Sequence, residues 1–219
     1  MNETLKKIHD YLISKGNKEE DLALMDTQSV YLSIEISEYA HRNQKRENGE
    51  EYAEHPARCL KRYRKMVGII ENDPFCIDRD LMYEHGVPFD GVQELCLLHD
   101  VVEDTELSFE DVQGIFYDCG FKTYFDLYIS DPLKRITHDK SVGYDEYISI
   151  VLKNPISALV KMMDLQDNLQ VLDLVELNEY TYDRAAGYLK NIYIINYVYH
   201  FVEKIWAYIK EYRADESMN

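Results

Sequence analysis

The stretch Leu97-Leu98-His99-Asp100-Val101-Val102-Glu103-Asp104-Thr105 restricts what this chain can become more than any other part of it. Leu95, Cys96, Leu97, Leu98, Val101 and Val102 give it the apolar background of a buried helix, predicted to run from about Val92 to Glu103. Residues four apart share a helix face, so the spacing stacks His99 on Glu103 and Asp100 on Asp104. Four ionisable groups on two stripes of a buried helix are costly unless a cation compensates them, and a divalent metal is the simplest such cation. The alternative is a helix end whose acids face water while His99 is satisfied inside the core.

The remaining segments carry helical periodicity and no strand-like alternation of any length, so the class is all-α. Residues 5–13 make a short capping helix stopped by Ser14-Lys15-Gly16-Asn17, and residues 22–40 a longer one. The polar run 41–52 is a loop whose Lys45-Arg46 pair stands out in an acidic chain. Glu54-His55-Pro56 opens the next helix, with proline in the first turn and His55 at the N-terminal end. Residues 71–90 read as loop or short helical pieces, with His85 on the surface. Ser108 to Asp111 resembles a capping box for a helix that stops near Cys119-Gly120. Residues 122–136 form a helix interrupted by Pro132, and Tyr144–Leu152 another, stopped before Pro155. Along Ala158–Leu174, Lys161, Asp164 and Asn168 share one face, and Asp167 is expected to face solvent. Tyr180–Tyr212 is one long helix or two, its tyrosines expected to serve as core or packing surface.

Composition narrows the function. At 219 residues the chain fits a single domain, 1–219, with enough length to bury a core, and 46% hydrophobic with 30% charged residues argues against disorder. A net charge of −17 excludes a general nucleic-acid-binding surface but not a phosphorylated small molecule held by a metal and a few local cations. Cys59, Cys76, Cys96 and Cys119 form no CxxC pair and read as buried free thiols of a reducing compartment. No apolar segment has the length of a signal peptide or a membrane span, so the expected location is cytoplasmic, with no membrane partner.

His55, His99, Asp100 and Asp164 lie on three predicted helices. Two imidazoles and two carboxylates suit a dication such as Mn(II) that keeps positions open, rather than a closed thiolate zinc site. The pattern Arg46…His55-Pro56…His99-Asp100-x-x-Glu103-Asp104…Lys161-x-x-Asp164-x-x-x-Asn168 resembles the HD-domain phosphohydrolases. More narrowly it is similar to the guanosine polyphosphate (ppGpp) pyrophosphohydrolase branch, the hydrolase half of RelA/SpoT-type proteins and their stand-alone relatives. The resemblance covers about residues 30–175, leaving 176–219 as C-terminal helices.

It implies an HD-domain helical bundle with a metal site between central helices. It implies that His55, His99, Asp100 and Asp164 hold a divalent metal, most simply Mn2+, and that Glu103 and Asp104 activate and orient the attacking water. Arg46 matches an arginine near the metal, Asn168 a residue near the nucleotide, and Lys45 sits where relatives carry another basic residue. The activity implied is metal-dependent removal of the 3′-diphosphate of (p)ppGpp, releasing pyrophosphate. The alternatives are an HD-fold phosphohydrolase for another nucleotide and a nucleotide-binding sensor without turnover. The branch commonly has Ala-Asp-Arg where this chain has Met163-Asp164-Leu165, and Gly-x-Pro-Tyr where it has Gly49-Glu50-Glu51-Tyr52. The second departure alters the substrate-side loop. The sequence leaves the oligomeric state open.

Overall fold

A computed structural model describes residues 3–18, 28–67, 79–172 and 178–216, and structural statements concern these. Among them every regular element is helical, apart from one lone antiparallel bridge between Lys45 and Glu51. The order is α1 (Glu3–Ser14), α2 (Ser29–Ala40), α3 (Glu54–Met66), α4 (Arg79–Glu84), α5 (Val92–Leu98), α6 (Val101–Asp104) and α7 (Phe109–Asp118). Then α8 (Lys122–Tyr124) passes through a π-helical turn (Phe125–Ile129) into α9 (Ser130–Ile136). The chain continues with α10 (Tyr144–Val151), α11 (Pro155–Leu172), α12 (Glu179–Tyr199) and α13 (Phe201–Glu216).

The core forms where α3, α5 and α11 meet, with α2 covering α5 and α12 covering α11. Helix α11 is apolar around most of its circumference (Ala158, Leu159, Val160, Met162, Met163 and Leu165 are all buried), as expected of a helix enclosed on several sides. Any polar residue on such a helix must find its partners inside the protein.

The expected central helix over Val92–Glu103 is broken into α5 and α6 at His99-Asp100. The cause is local. The His99 ring Nδ1 bonds to the Cys96 carbonyl at 2.9 Å, competing for the acceptor that the Asp100 N–H would use in an unbroken helix. The start of α5 needs Gly91, which sits at φ 79° with its Cα against the Tyr128 carbonyl, so that a β-carbon would collide with that oxygen. Tyr128 is four residues before Pro132, which has no N–H to offer its carbonyl, and the helix widens into the π turn just there.

The capping box before α7 is present in full: Asp111 N–H donates to Ser108 Oγ and Ser108 N–H to Asp111 Oδ2, at 3.1 and 3.0 Å. Part of the expected helix 22–40 and part of the loop 71–90 lie outside the described residues, as does Cys76; Cys59 and Cys96 are buried, and Cys119 is half-buried. His85 is partly buried and pairs with Glu211 at 2.8 Å. The C-terminal segment is two helices, parted at His200, whose φ of 53° is left-handed. Of its tyrosines, expected as core or packing surface, Tyr208 lies in the core and Tyr188 and Tyr199 are half-buried against it, whereas Tyr180, Tyr182, Tyr193 and Tyr197 stand in solvent. Helical spacing puts residues on one face without saying which face the core takes. Among the described residues no helix is long and apolar enough to cross a membrane.

Candidate metal centre and active site

Three helices converge on one point. The N-terminal turn of α3 supplies His55, the break between α5 and α6 supplies His99 and Asp100, and the middle of α11 supplies Asp164. His55 Nε2 lies 3.2 Å from His99 Nε2, 3.4 Å from Asp100 Oδ2 and 3.2 Å from Asp164 Oδ1. His99 Nε2 lies 3.2 Å from Asp100 Oδ2 and 3.8 Å from Asp164 Oδ1. Nitrogen and carboxylate donors sit about 2.0–2.2 Å from a zinc-sized dication, so donors sharing one ion stand roughly 3 Å apart. The donor spacing here fits such an ion.

His55, Cys59 and His99 form a second candidate set, with ligand atoms all within 4.8 Å of one another. The thiol approaches the wrong nitrogen, however: Cys59 Sγ is 3.9 Å from His55 Nδ1, which Asp167 already holds at 2.8 Å. The carboxylates face the same ring edge as Nε2, and the carboxylate set is the better fit.

Each ring is oriented from behind. The carbonyl of Cys96 takes His99 Nδ1, and Asp167 takes His55 Nδ1, which turns both Nε2 atoms toward the common centre. Asp167 was expected to face solvent and instead is fully buried. Three residues on from Asp164, it shares that residue's side of α11. It is held by Arg58 Nε and Nη2, each at 2.9 Å, and by Arg62 at 3.2 Å, with Arg46 Nη1 at 3.8 Å. Burial alone would raise its pKa, but His55 and Arg58 hold the Asp167 carboxyl well below the usual range. The clue in the sequence was Arg58 and Arg62, four apart on the helix that carries His55.

Asp164 is equally engaged. Its Oδ1 also accepts from Asn168 Nδ2 at 2.5 Å, and its Oδ2 pairs with Lys161 at 2.8 Å. The neighbours Met163 and Leu165 are buried in the core, and Lys161 is the cation beside this aspartate. Burial lowers the pKa of His99, but the Asp100 and Asp164 carboxylates outweigh it and raise it to about 10.

The paired acids lie beside this centre. Glu103 Oε2 accepts the His138 N–H at 2.9 Å; burial and then the Asp104 charge raise its pKa against that bond. Tyr52 Oη is 2.9 Å from Asp100 Oδ2 and 3.3 Å from Asp104 Oδ2, so its one hydrogen links the centre to the acid pair. Tyr52 stacks on the buried His41 ring at 4.6 Å. Neither Tyr52 nor His41 was expected at the site, although Tyr52 lies one helical turn before His55.

The loop before α3 divides its two cations. Arg46 turns inward, 11% exposed, and donates to Asn168 Oδ1 at 2.6 Å. Lys45 is 63% exposed and pairs with Glu51 at 3.0 Å. Adjacent residues in the short bridged segment point to opposite sides, which separates the two. Glu50 braces the loop through Arg58 at 2.6 Å.

No family model matches the chain. It is 32% identical over 115 residues to the guanosine-3′,5′-bis(diphosphate) 3′-pyrophosphohydrolase MESH1 of Drosophila melanogaster, an overlap of 49% of this chain and 58% of that protein. The chain thus spans little more than half the length of that relative. A solved structure, of a metazoan ortholog of SpoT that hydrolyzes ppGpp and plays a role in starvation responses, superposes with a TM-score of 0.52 at 21% identity, covering 84% of this chain and 94% of that one. The all-helical fold described above is therefore the fold of that structure.

Proposed function

We propose that this chain is an HD-domain phosphohydrolase that removes the 3′-diphosphate of a guanosine polyphosphate in the cytoplasm, using a divalent ion, most simply Mn(II). The observation that carries the reading is the convergence of His55 Nε2, His99 Nε2, Asp100 Oδ2 and Asp164 Oδ1 on one point. The similarity to MESH1 supports the choice of substrate. A dication held there supplies positive charge that polarises a phosphoryl oxygen and offsets the surrounding acids.

The chain's own residues do the rest. Glu103, with its raised pKa, takes the proton of the attacking water, while Asp104, linked through Tyr52 to Asp100, orients that water. The water oxygen bonds to the phosphorus on the ribose 3′ oxygen, that P–O bond breaks, and the 3′ oxygen leaves with a proton. The products are guanosine 5′-diphosphate and pyrophosphate when ppGpp is the substrate. Arg46, turned inward and held by Asn168, brings a planar guanidinium beside the centre for phosphate oxygens to meet. A nucleotide with phosphates on both sides of its ribose spans the metal and Arg46 together; a 5′-triphosphate does not.

The test is a panel of ppGpp, pppGpp, GTP and nucleoside bisphosphates with added Mn(II) and Asp100→Ala as the blank. The expected result is pyrophosphate release from ppGpp with GTP left largely untouched. Arg46→Ala should lower the rate by on the order of a hundredfold, the scale of a lost electrostatic contact to the transition state. Fast cleavage of GTP with ppGpp ignored would assign the site to another nucleotide.

A further inference from the structure

Helix α12 packs against α11 through one side, burying Thr181, Asn191 and Ile195 with Tyr188, Ile192 and Tyr199 half-covered. The opposite side carries Tyr182, Ala186, Leu189, Tyr193 and Tyr197, spaced by four, three, four and four residues and confined to roughly 80° of the helix circumference. None of them is covered. Tyr182 is 66% exposed, Leu189 54%, Tyr193 70% and Tyr197 67%, and the rings of Tyr193 and Tyr197 stack on each other at 6.2 Å. This alternation of threes and fours is the spacing of a helix-pairing seam, not of a solvated face.

We propose that this seam pairs with the same seam of a second copy of the chain, antiparallel, about a two-fold axis beside Leu189. The complementarity of the residues carries this. With the axis there, Tyr182 lies opposite the partner copy's position 197, and Ala186 opposite its position 193. The most exposed ring of the seam is thereby set against its smallest residue, and the two copies of Leu189 flank the axis. A parallel pairing in register sets every ring against its own copy and alanine against alanine, whereas the antiparallel one keeps ring against ring only at Tyr182 and fills the space beside Ala186. An isologous pairing of this kind closes at two chains.

The area also fits. Tyrosine offers about 150–250 Å² to a contact, so three rings two-thirds exposed and one half-exposed leucine give on the order of 500 Å² per chain. Two chains bury about 1,000 Å² in total, at the lower bound for a specific interface, and each contributes a patch at the upper end of what a monomer commonly leaves in water, about 300–600 Å². The flanking Lys190 is neutralised within its own chain by Asp145 at 3.0 Å, so two copies of it near the axis do not repel as free charges. Tyrosine is also the residue type enriched in the buried centres of such contacts.

Sedimentation equilibrium of the full chain over a wide range of concentration tests the proposal. A dimer is expected. Tyr193→Glu should weaken it by about thirtyfold or more, the scale of a lost hot spot. Trp206→Glu, on an equally exposed ring of α13 outside the seam, should leave it unchanged. Leu189→Cys should cross-link to itself under mild oxidation, and Tyr182→Cys should cross-link only when mixed with Tyr197→Cys. A chain that stays monomeric at every concentration, a dimer indifferent to Tyr193→Glu, or self-linking of Tyr182→Cys without Leu189→Cys would overturn it.

Discussion

Helices α11 and α12 lie side by side, and each reverses the ordinary rule of burial. Asp164 and Asp167 of α11 are 3% and 0% exposed, whereas Tyr182 and Tyr193 of α12 are 66% and 70% exposed. Both reversals carry a cost. A buried carboxylate without partners is worth several kcal/mol against folding, and an apolar ring left in water forgoes about 1.5–3 kcal/mol of burial. The difference lies in where the compensation is found. Every carboxylate oxygen of Asp164 and Asp167 has a polar partner within the chain: His55, Lys161 and Asn168 for one, His55, Arg58 and Arg62 for the other. The outward rings of α12 have little beyond the Tyr193–Tyr197 stack and the edge contact of Tyr197 with His200, so their compensation is sought outside the chain. The first arrangement is preorganised for a small ion, the second for a macromolecular surface.

The largest expected effect separates chemistry from scaffold within the buried region. Glu103→Gln keeps the shape of the side chain and its capacity to accept the His138 N–H, but loses the base. Turnover should fall by about 10²–10⁴-fold. Metal binding, measured by titration calorimetry, should stay at the level of the unchanged protein. Near-normal turnover would mean that Glu103 takes no proton and that the roles given to the acid pair are wrong.

A smaller effect is expected one layer back. Asp167→Asn preserves volume but loses the charge that faces Arg58 and Arg62 and the strong acceptor for His55 Nδ1. The His55 ring is then free to turn, and the affinity for Mn(II) should fall by about 10–100-fold, the usual penalty for losing an orienting carboxylate behind a ligand. The readout is the dissociation constant for the ion, with the circular dichroism spectrum as the check on folding. Unchanged affinity would show that Asp167 serves only to neutralise the arginines.

How much of this was legible beforehand differs between the two helices for a physical reason. The convergence of His55, His99, Asp100 and Asp164 matches the motif, because buried ionisable residues have few arrangements that satisfy them all. Arg46 and Asn168, 122 residues apart, are in direct contact, a proximity that no local pattern in the sequence registers. Asp167 faces inward where Arg58 and Arg62 of another helix pair with it, and the periodicity of α11 alone does not register those partners. The break at His99 comes from a side chain taking a backbone carbonyl, which periodicity does not register. On α12, the density of tyrosines was legible but not which of them face outward. The inner face of that helix is nearly as apolar, with Tyr188, Ile192, Ile195 and Tyr199, so either side could have met the core.

The smallest expected effect is a near-absence of change, and it bears directly on the contrast between the two helices. In dilute protein, where the chain is monomeric, Tyr193→Ser removes a ring that touches little beyond Tyr197. The free energy of unfolding in urea should move by no more than about 0.5 kcal/mol, as for surface substitutions away from special features. Tyr63 is the control: it is a fully buried ring whose hydroxyl donates to the Pro88 carbonyl at 3.2 Å, and truncating it to alanine should cost about 3–5 kcal/mol. Hydrolysis by the Tyr193→Ser variant should match the unchanged chain, since α12 contributes none of the four converging donors. At high concentration the two proteins should part company, with only the unchanged chain gaining stability as it associates. If Tyr193→Ser destabilises the dilute monomer by as much as a core substitution, the ring is buried in solution. The opposition between an inward-compensated α11 and an outward-facing α12 would then fail.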